Sequence, residues 1–189
     1  MEKKLLTIFG ASGLVGSSIL REALDKGYHV NGTLRDIENQ DRITRLKSLN
    51  SGNNAKFFQA DMAKISSLDN PLINSDAAII CCLIPTYKGF DGTPARELDD
   101  ERGYNEIIKP TVDGCLNILK TAKINNVKNI LICSSTSSTN PIPQVLIKNE
   151  LDHWSDEKEQ CNSKKYTSAA KTYMELSLIH ISEPTRRAI

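Results

Sequence analysis

The sequence predicts an α/β fold built on a doubly wound parallel sheet. Three observations predict it. Short apolar, β-prone runs alternate with stretches of helical period along most of the chain. The first run enters its helix through a glycine-rich turn. Strands separated by helices must cross over, which gives parallel pairing of right-handed sense.

Leu5–Phe9 is the first strand, the kind of apolar run that becomes buried on both faces. It leads into Gly10-Ala11-Ser12-Gly13-Leu14-Val15-Gly16. From Val15 the period is helical: Val15, Ile19, Leu20, Ala23 and Leu24 share one face, and Lys26-Gly27 stops the helix. Three glycines spaced three apart let backbone N–H groups approach a phosphate with no Cβ in the way, and the helix N-terminus adds its dipole. In this strand–turn–helix setting the pattern points to a dinucleotide. Gly10, Ser12, Gly13, Leu14, Val15 and Gly16 are therefore candidate cofactor-binding residues.

The second strand is Tyr28–Leu34, and Arg35 stands at its end. That position faces the adenosine ribose in such folds, where an acid accepts from the 2′-OH of NAD. An arginine instead offers its fork to the 2′-phosphate of NADP. Arg42 is a second candidate phosphate contact; the alternative for both is a solvated surface role. The third strand is Lys56–Gln59, ending near Asp61, and the fourth is Asp76–Cys82. A polar loop with Pro85, Gly89, Gly92 and Pro94 follows. A long helical pattern then runs through Ile107, Ile108, Val112, Cys115, Leu116 and Leu119, with a kink expected at Pro110. The fifth strand, Asn129–Cys133, ends in the hydroxyl run Ser134–Thr139.

Composition narrows the function. A chain of 189 residues with 25% charged residues and a net charge of +1 suggests neither a nucleic-acid partner nor a membrane surface. The apolar run before Gly10 is too short for a signal-peptide core or a membrane span. Five cysteines without metal-type spacing, Cys81, Cys82 and Cys133 among them in expected buried strands, predict reduced core thiols, a cytoplasmic setting and no metal site.

The segment Ile107-Ile108-Lys109-Pro110-Thr111-Val112-Asp113-Gly114-Cys115-Leu116-Asn117-Ile118-Leu119 resembles a helix of the extended short-chain dehydrogenase/reductase family, in its dihydroflavonol reductase and cinnamoyl-CoA reductase-like branch. Trp154-Ser155-Asp156 and Lys171-Thr172-Tyr173-Met174-Glu175 resemble two further segments of that branch. The resemblance covers roughly residues 1–175. It implies a Rossmann fold, NADPH, and reduction of a small-molecule ketone or aldehyde to an alcohol. It also implies that Asp61 and Met62 contact adenine, and that Cys82, Leu83 and Ile84 line the cofactor near Pro85. Ser135 matches the branch's serine and Lys171 its lysine.

Such a reduction needs a proton for the product oxygen once hydride has arrived. A tyrosine can donate it if a nearby lysine lowers its pKa, and a strand-end serine can orient the carbonyl. The branch's pattern separates tyrosine and lysine by four. Here Tyr166 and Lys171 are five apart, and Thr167 occupies the aligned position. At about 100° per residue, five residues place two side chains on different helix faces. Tyr166 is then either a donor aimed from before the first helical turn or a packing residue. Tyr173, beyond Lys171, should face elsewhere.

Leu176–Arg186 resembles an in-frame translation of a transposon-based sequencing-library adapter over eleven residues. Residues 176–189 are therefore expected to be a non-native tail, after an incomplete dinucleotide-binding domain over residues 1–175. The resemblance implies a sixth strand and a substrate region beyond these residues. Without them the chain is expected to leave its fifth strand as an edge and to be inactive. Two alternatives to a reductase stay open: a non-catalytic NADP-binding or regulatory protein of the same fold, and a nicotinamide-using epimerase.

Overall fold

The computed structural model describes residues 4–49, 54–149 and 151–182. The chain divides into two compact units. One is built on residues up to Leu83 together with Leu116–Cys133; the other is built on Ile84–Cys115 and the residues from Ser134 on.

The first unit holds a five-stranded sheet: β1 (Leu5–Phe9), β2 (His29–Leu34), β3 (Ala55–Gln59), β4 (Ala77–Ile80) and β5 (Asn129–Ile132). The order is β3-β2-β1-β4-β5, with every pairing parallel. Helices α1 (Leu14–Asp25), α2 (Gln40–Ser48) and α3 (Asp69–Leu72) connect the strands. The strand order reverses between β2 and β4 on either side of β1. Ligands in doubly wound sheets bind at the carboxyl ends of strands at that point.

Ile8, Ala11, Leu20, Ala23, Val30, Leu34, Ile43 and Leu46 form one buried cluster. Each large aliphatic side chain there contributes about 1.5–3 kcal/mol by leaving water. Thr7 is a polar residue inside the sheet, and its hydroxyl reaches the Pro71 carbonyl at 2.6 Å. The α1 face differs from the expected one at its start. Leu20 and Ala23 are buried, but Leu14 and Val15 are 88% and 51% exposed.

Strand β5 pairs only with β4 among the described residues, so it is an edge. Exposure along it alternates, as a strand's period of two requires. Ile130 and Ile132 are half-buried, while Leu131 is 61% exposed.

In the second unit, α4 (Asp100–Arg102) runs into a π-helical stretch, Gly103–Ile108, and then into α5 (Lys109–Ile124), whose later turns belong to the first unit. The disturbance expected at Pro110 is thus met by wider winding just before it. A proline cannot donate an i→i−4 bond and its ring crowds the preceding turn. The unit also contains α6 (Glu157–Asn162) and α7 (Tyr166–Ser182). Helix α7 continues through the first seven residues of the expected tail; residues 183–189 lie outside the described residues. Among the described residues no helix is long and apolar enough to cross a membrane.

Candidate functional site

The turn after β1 is shaped by what its glycines lack. Gly10 has φ +84°, a conformation that side chains disfavour. A Cβ on Gly16 would lie 2.1 Å from the Gly10 carbonyl oxygen, so helix and turn touch backbone to backbone. The turn is pinned by Gly13 N–H donating to the Gly10 carbonyl at 3.0 Å and by Ala11 N–H donating to the Thr33 carbonyl at 3.0 Å. Gly13 is the N-cap of α1, no side chain caps it, and the first turn has no acid. A twelve-residue helix therefore presents orphan N–H groups and the positive end of its dipole to solvent. With Leu14 and Val15 exposed beside them, these donors fit an anionic pyrophosphate.

Arg35 follows β2 directly and is exposed. Arg42 lies in the first turn of α2, where its backbone N–H is taken by the Asn39 cap at 3.1 Å. Sequence reasoning missed Arg45, one turn on. Its Nη2 donates to the Ser12 carbonyl at 3.1 Å, tying α2 to the glycine turn. The spacing of Arg42 and Arg45 on either side of buried Ile43 could have found it.

Asp61 uses its carboxylate locally, with Oδ1 accepting from Ala63 N–H at 3.0 Å. The Met62 carbonyl accepts from Asn117 Nδ2 at 3.0 Å. Through that bond Asn117, in the segment resembling the reductase helix, fixes the loop after β3. Cys82 borders the glycine turn, since a Cβ on Gly10 would come 3.1 Å from its Cβ. Leu83 is a buried core residue whose side chain is unavailable to a ligand, and Ile84 is exposed.

In the second unit the hydroxyl run is folded into a braced loop. Ser135 is exposed and N-caps a short 3₁₀ turn, Thr136–Thr139, with its Oγ accepting from Ser137 N–H at 3.2 Å and from Ser137 Oγ at 3.0 Å. Glu175 on α7 accepts from Ser134 Oγ and, at 2.7 Å, from buried Ser138 Oγ. Ser155 holds the other side: its Oγ donates toward the Ser137 carbonyl at 2.6 Å and accepts from Asn140 N–H at 2.8 Å. Asp156 caps α6 through Lys158 and Glu159 N–H. Glu175 and Ser155 stand in the segments that carry the resemblance; their role as braces is a structural finding. Lys171 stands one turn before Glu175 on the same helix and is buried.

Tyr166 takes the geometry of a packing residue. It is 1% exposed, in a cluster with Ala95, Leu98, Ile107, Ile108, Ala169 and Ala170. A Cβ on Gly103 would come 2.4 Å from its ring, so the glycine is the ring's seat. Its hydroxyl donates to Asp100 Oδ1 at 2.7 Å. Burial first, then the Asp100 carboxylate, raises the phenol's pKa. Of the two readings the sequence leaves open for Tyr166, this geometry is that of the packing residue: with α7 starting at Tyr166, its hydroxyl reaches α4. Tyr173 packs edge-on against Tyr104, ring centroids 6.3 Å apart.

A family model described as NAD(P)H-binding matches residues 10–177. The chain belongs to this NAD(P)H-binding family. Its curated relatives are of the dihydroflavonol reductase-like branch. An anthocyanidin reductase of Vitis vinifera is 30% identical over 137 residues, covering 72% of this chain and 37% of the relative. A bifunctional dihydroflavonol 4-reductase/flavanone 4-reductase of Malus domestica is 29% identical over 168 residues, covering 88% of this chain and 45% of the relative. The chain therefore spans less than half the length of these relatives. Among solved structures, vestitone reductase from alfalfa aligns with TM-score 0.66 at 23% identity, covering 96% of this chain and 53% of that one. Gre2 of Candida albicans, in complex with NADPH, aligns with TM-score 0.71 at 17% identity, covering 98% and 54%. At these identities the structures establish a shared Rossmann-type fold.

Proposed function

We propose that the whole protein is an NADPH-dependent oxidoreductase that reduces a small-molecule ketone or aldehyde to an alcohol. The observation that carries this reading is the uncapped, solvent-open N-terminus of α1 framed by Gly10, Gly13 and Gly16. NADPH, when bound, supplies the hydride. The α1 N–H groups and the turn at Ser12 hold the pyrophosphate, and Arg35 meets the 2′-phosphate, with Arg42 a second contact. Asp61 and Met62 border the adenine; the Cys82–Ile84 backbone follows the cofactor. Ser135 orients the carbonyl oxygen and Lys171 the nicotinamide ribose. With Tyr166 held by Asp100, the proton comes from solvent through the exposed Ser135–Ser137 hydroxyl pair. In this reading the residues named lie within 1–175, the 176–189 tail takes no part, and the substrate region lies beyond them. Five cysteines without metal-type spacing support a reducing, cytoplasmic setting.

The Tyr166 seat also favours a second reading, a non-catalytic NADP(H)-binding protein of the same fold. Steady-state NADPH oxidation by a protein restored to the relatives' length separates the two. The panel includes a dihydroflavonol, since relatives named dihydroflavonol 4-reductase are 28–30% identical. Net NADPH consumption with alcohol formation supports the reductase. NADPH binding without consumption supports the second reading, and turnover without net consumption indicates an epimerase.

A further inference from the structure

We propose that Cys81 and Cys133 are a redox pair that closes reversibly to a disulfide under a hydroperoxide and so weakens NADPH binding at the neighbouring glycine turn. Strands β4 and β5 run parallel with Ile80 opposite Ile132. Cys133 N–H donates to the Ile80 carbonyl at 2.9 Å, which carries the ladder one step further. The next opposed pair is Cys81 and Cys133, and their sulfurs lie 3.5 Å apart. Adjacent strands stand about 4.8 Å apart, within the Cα separation of about 4.4–6.8 Å that disulfides span. Closing to an S–S bond of about 2.05 Å therefore needs a sulfur movement of only about 1.5 Å. Cys82 belongs to the opposite face of the strand and adjoins Gly10.

The two thiols have different surroundings, which assigns their roles. Cys133 is partly exposed, whereas Cys81 is buried. Burial, then the hydrogen bond to Cys133, pushes the Cys81 thiol up to about 12. Cys133 is thus the sulfur that meets the oxidant. Its thiolate attacks the outer oxygen of the hydroperoxide, the O–O bond breaks, and the products are a Cys133 sulfenic acid and an alcohol or water. The Cys81 sulfur then attacks the sulfenic sulfur, its proton leaves with the hydroxide as water, and the S–S bond forms. The two thiols are oxidised by two electrons and the peroxide is reduced by two. Tightening this pair draws on Cys82, the next residue, whose backbone N and Cα would lie 3.1 and 3.2 Å from a Cβ on Gly10.

The test treats the 189-residue chain with hydrogen peroxide, maps linkages by non-reducing peptide mass spectrometry, and titrates NADPH before and after. Cys82→Ser keeps the assignment unambiguous, and the unmodified chain gives the linkage without relying on any variant's folding. The expected result is a loss of two hydrogens in a Cys81–Cys133 link, a several-fold weaker NADPH affinity, and recovery of both with dithiothreitol. Cys133→Ser should abolish the response to peroxide. Oxygen addition at Cys133 without a link, or a link through Cys82, would overturn the pair. A Cys81–Cys133 link with unchanged NADPH affinity would overturn its coupling to the cofactor site. Failure of the untreated chain to bind NADPH would instead overturn the assignment of the glycine turn and leave the linkage result standing.

Discussion

The Tyr166 hydroxyl donates to Asp100 Oδ1 at 2.7 Å, so the tyrosine that precedes Lys171 on α7, its ring buried in the second unit, is bound to an exposed carboxylate. A phenol acting as proton donor in carbonyl reduction needs a pKa brought down toward neutrality, and this environment acts the other way. Tyr166→Phe keeps the ring and removes the bond. It should destabilise the chain by about 1–2 kcal/mol in chemical denaturation and leave NADPH affinity unchanged. A loss of carbonyl reduction in the full-length protein, at unchanged stability, would restore Tyr166 as the donor.

The carboxylates of the second unit set an acid limit. Asp100 has a lowered pKa, first through Tyr166 and then through Lys164. Glu106 is lowered first by Arg102, then by the Phe90 N–H; Asp91 is lowered first by Arg102. A folded pKa below the unfolded one contributes stability above the unfolded value and loses it as pH falls through the folded value. The melting temperature should therefore hold near neutrality and decline below about pH 4.5, the ordinary carboxylate range. Asp100→Asn should flatten part of that decline. A midpoint that rises on acidification would contradict these assignments.

The glycine turn tolerates no methyl group at its tightest point. In Gly16→Ala the new Cβ meets the Gly10 carbonyl, a backbone atom that cannot swing away. Overpacking of this kind costs about 1–3 kcal/mol. Denaturation should show that loss, and fluorescence titration should show weakened NADPH binding. Wild-type values on both counts would mean that turn and helix do not touch backbone to backbone.

Much of this was legible in the sequence because it rests on local pattern. The five strands lie within one or two residues of their expected places, since each is a short apolar run between polar breaks. The glycine turn was legible because strand, turn and helix adjoin in sequence. Tyr166 was left open because its fate depends on Gly103 and Asp100, more than sixty residues away. The roles of Asn117, Ser155 and Glu175 were hidden for the same reason: each bonds a loop distant in sequence. The exposure of Val15 broke the expected helical stripe at the first turn of α1.

Glu175 is a brace that can be removed singly. It accepts from Ser134 and from Ser138, so Glu175→Ala removes a charged acceptor shared by two hydroxyls and leaves buried Ser138 only its local bond to the Ser135 carbonyl at 2.7 Å. A loss of about 1–3 kcal/mol is expected, with faster proteolysis between residues 134 and 149. Unchanged stability and cleavage would show that the hydroxyl run is held from its other side, by Ser155 and Gln160.

The central claim, a cofactor site selecting NADPH through Arg35, is tested most directly by fluorescence titration of NADPH and NADH against the wild-type chain and Arg35→Ala. A charge-assisted contact of about 1.5–3 kcal/mol corresponds to NADPH binding about ten- to a hundred-fold more tightly than NADH. Arg35→Ala should remove most of that difference by weakening NADPH and leaving NADH nearly unchanged. Equal affinities of the wild-type chain for the two cofactors, or a preference that survives Arg35→Ala, would contradict it.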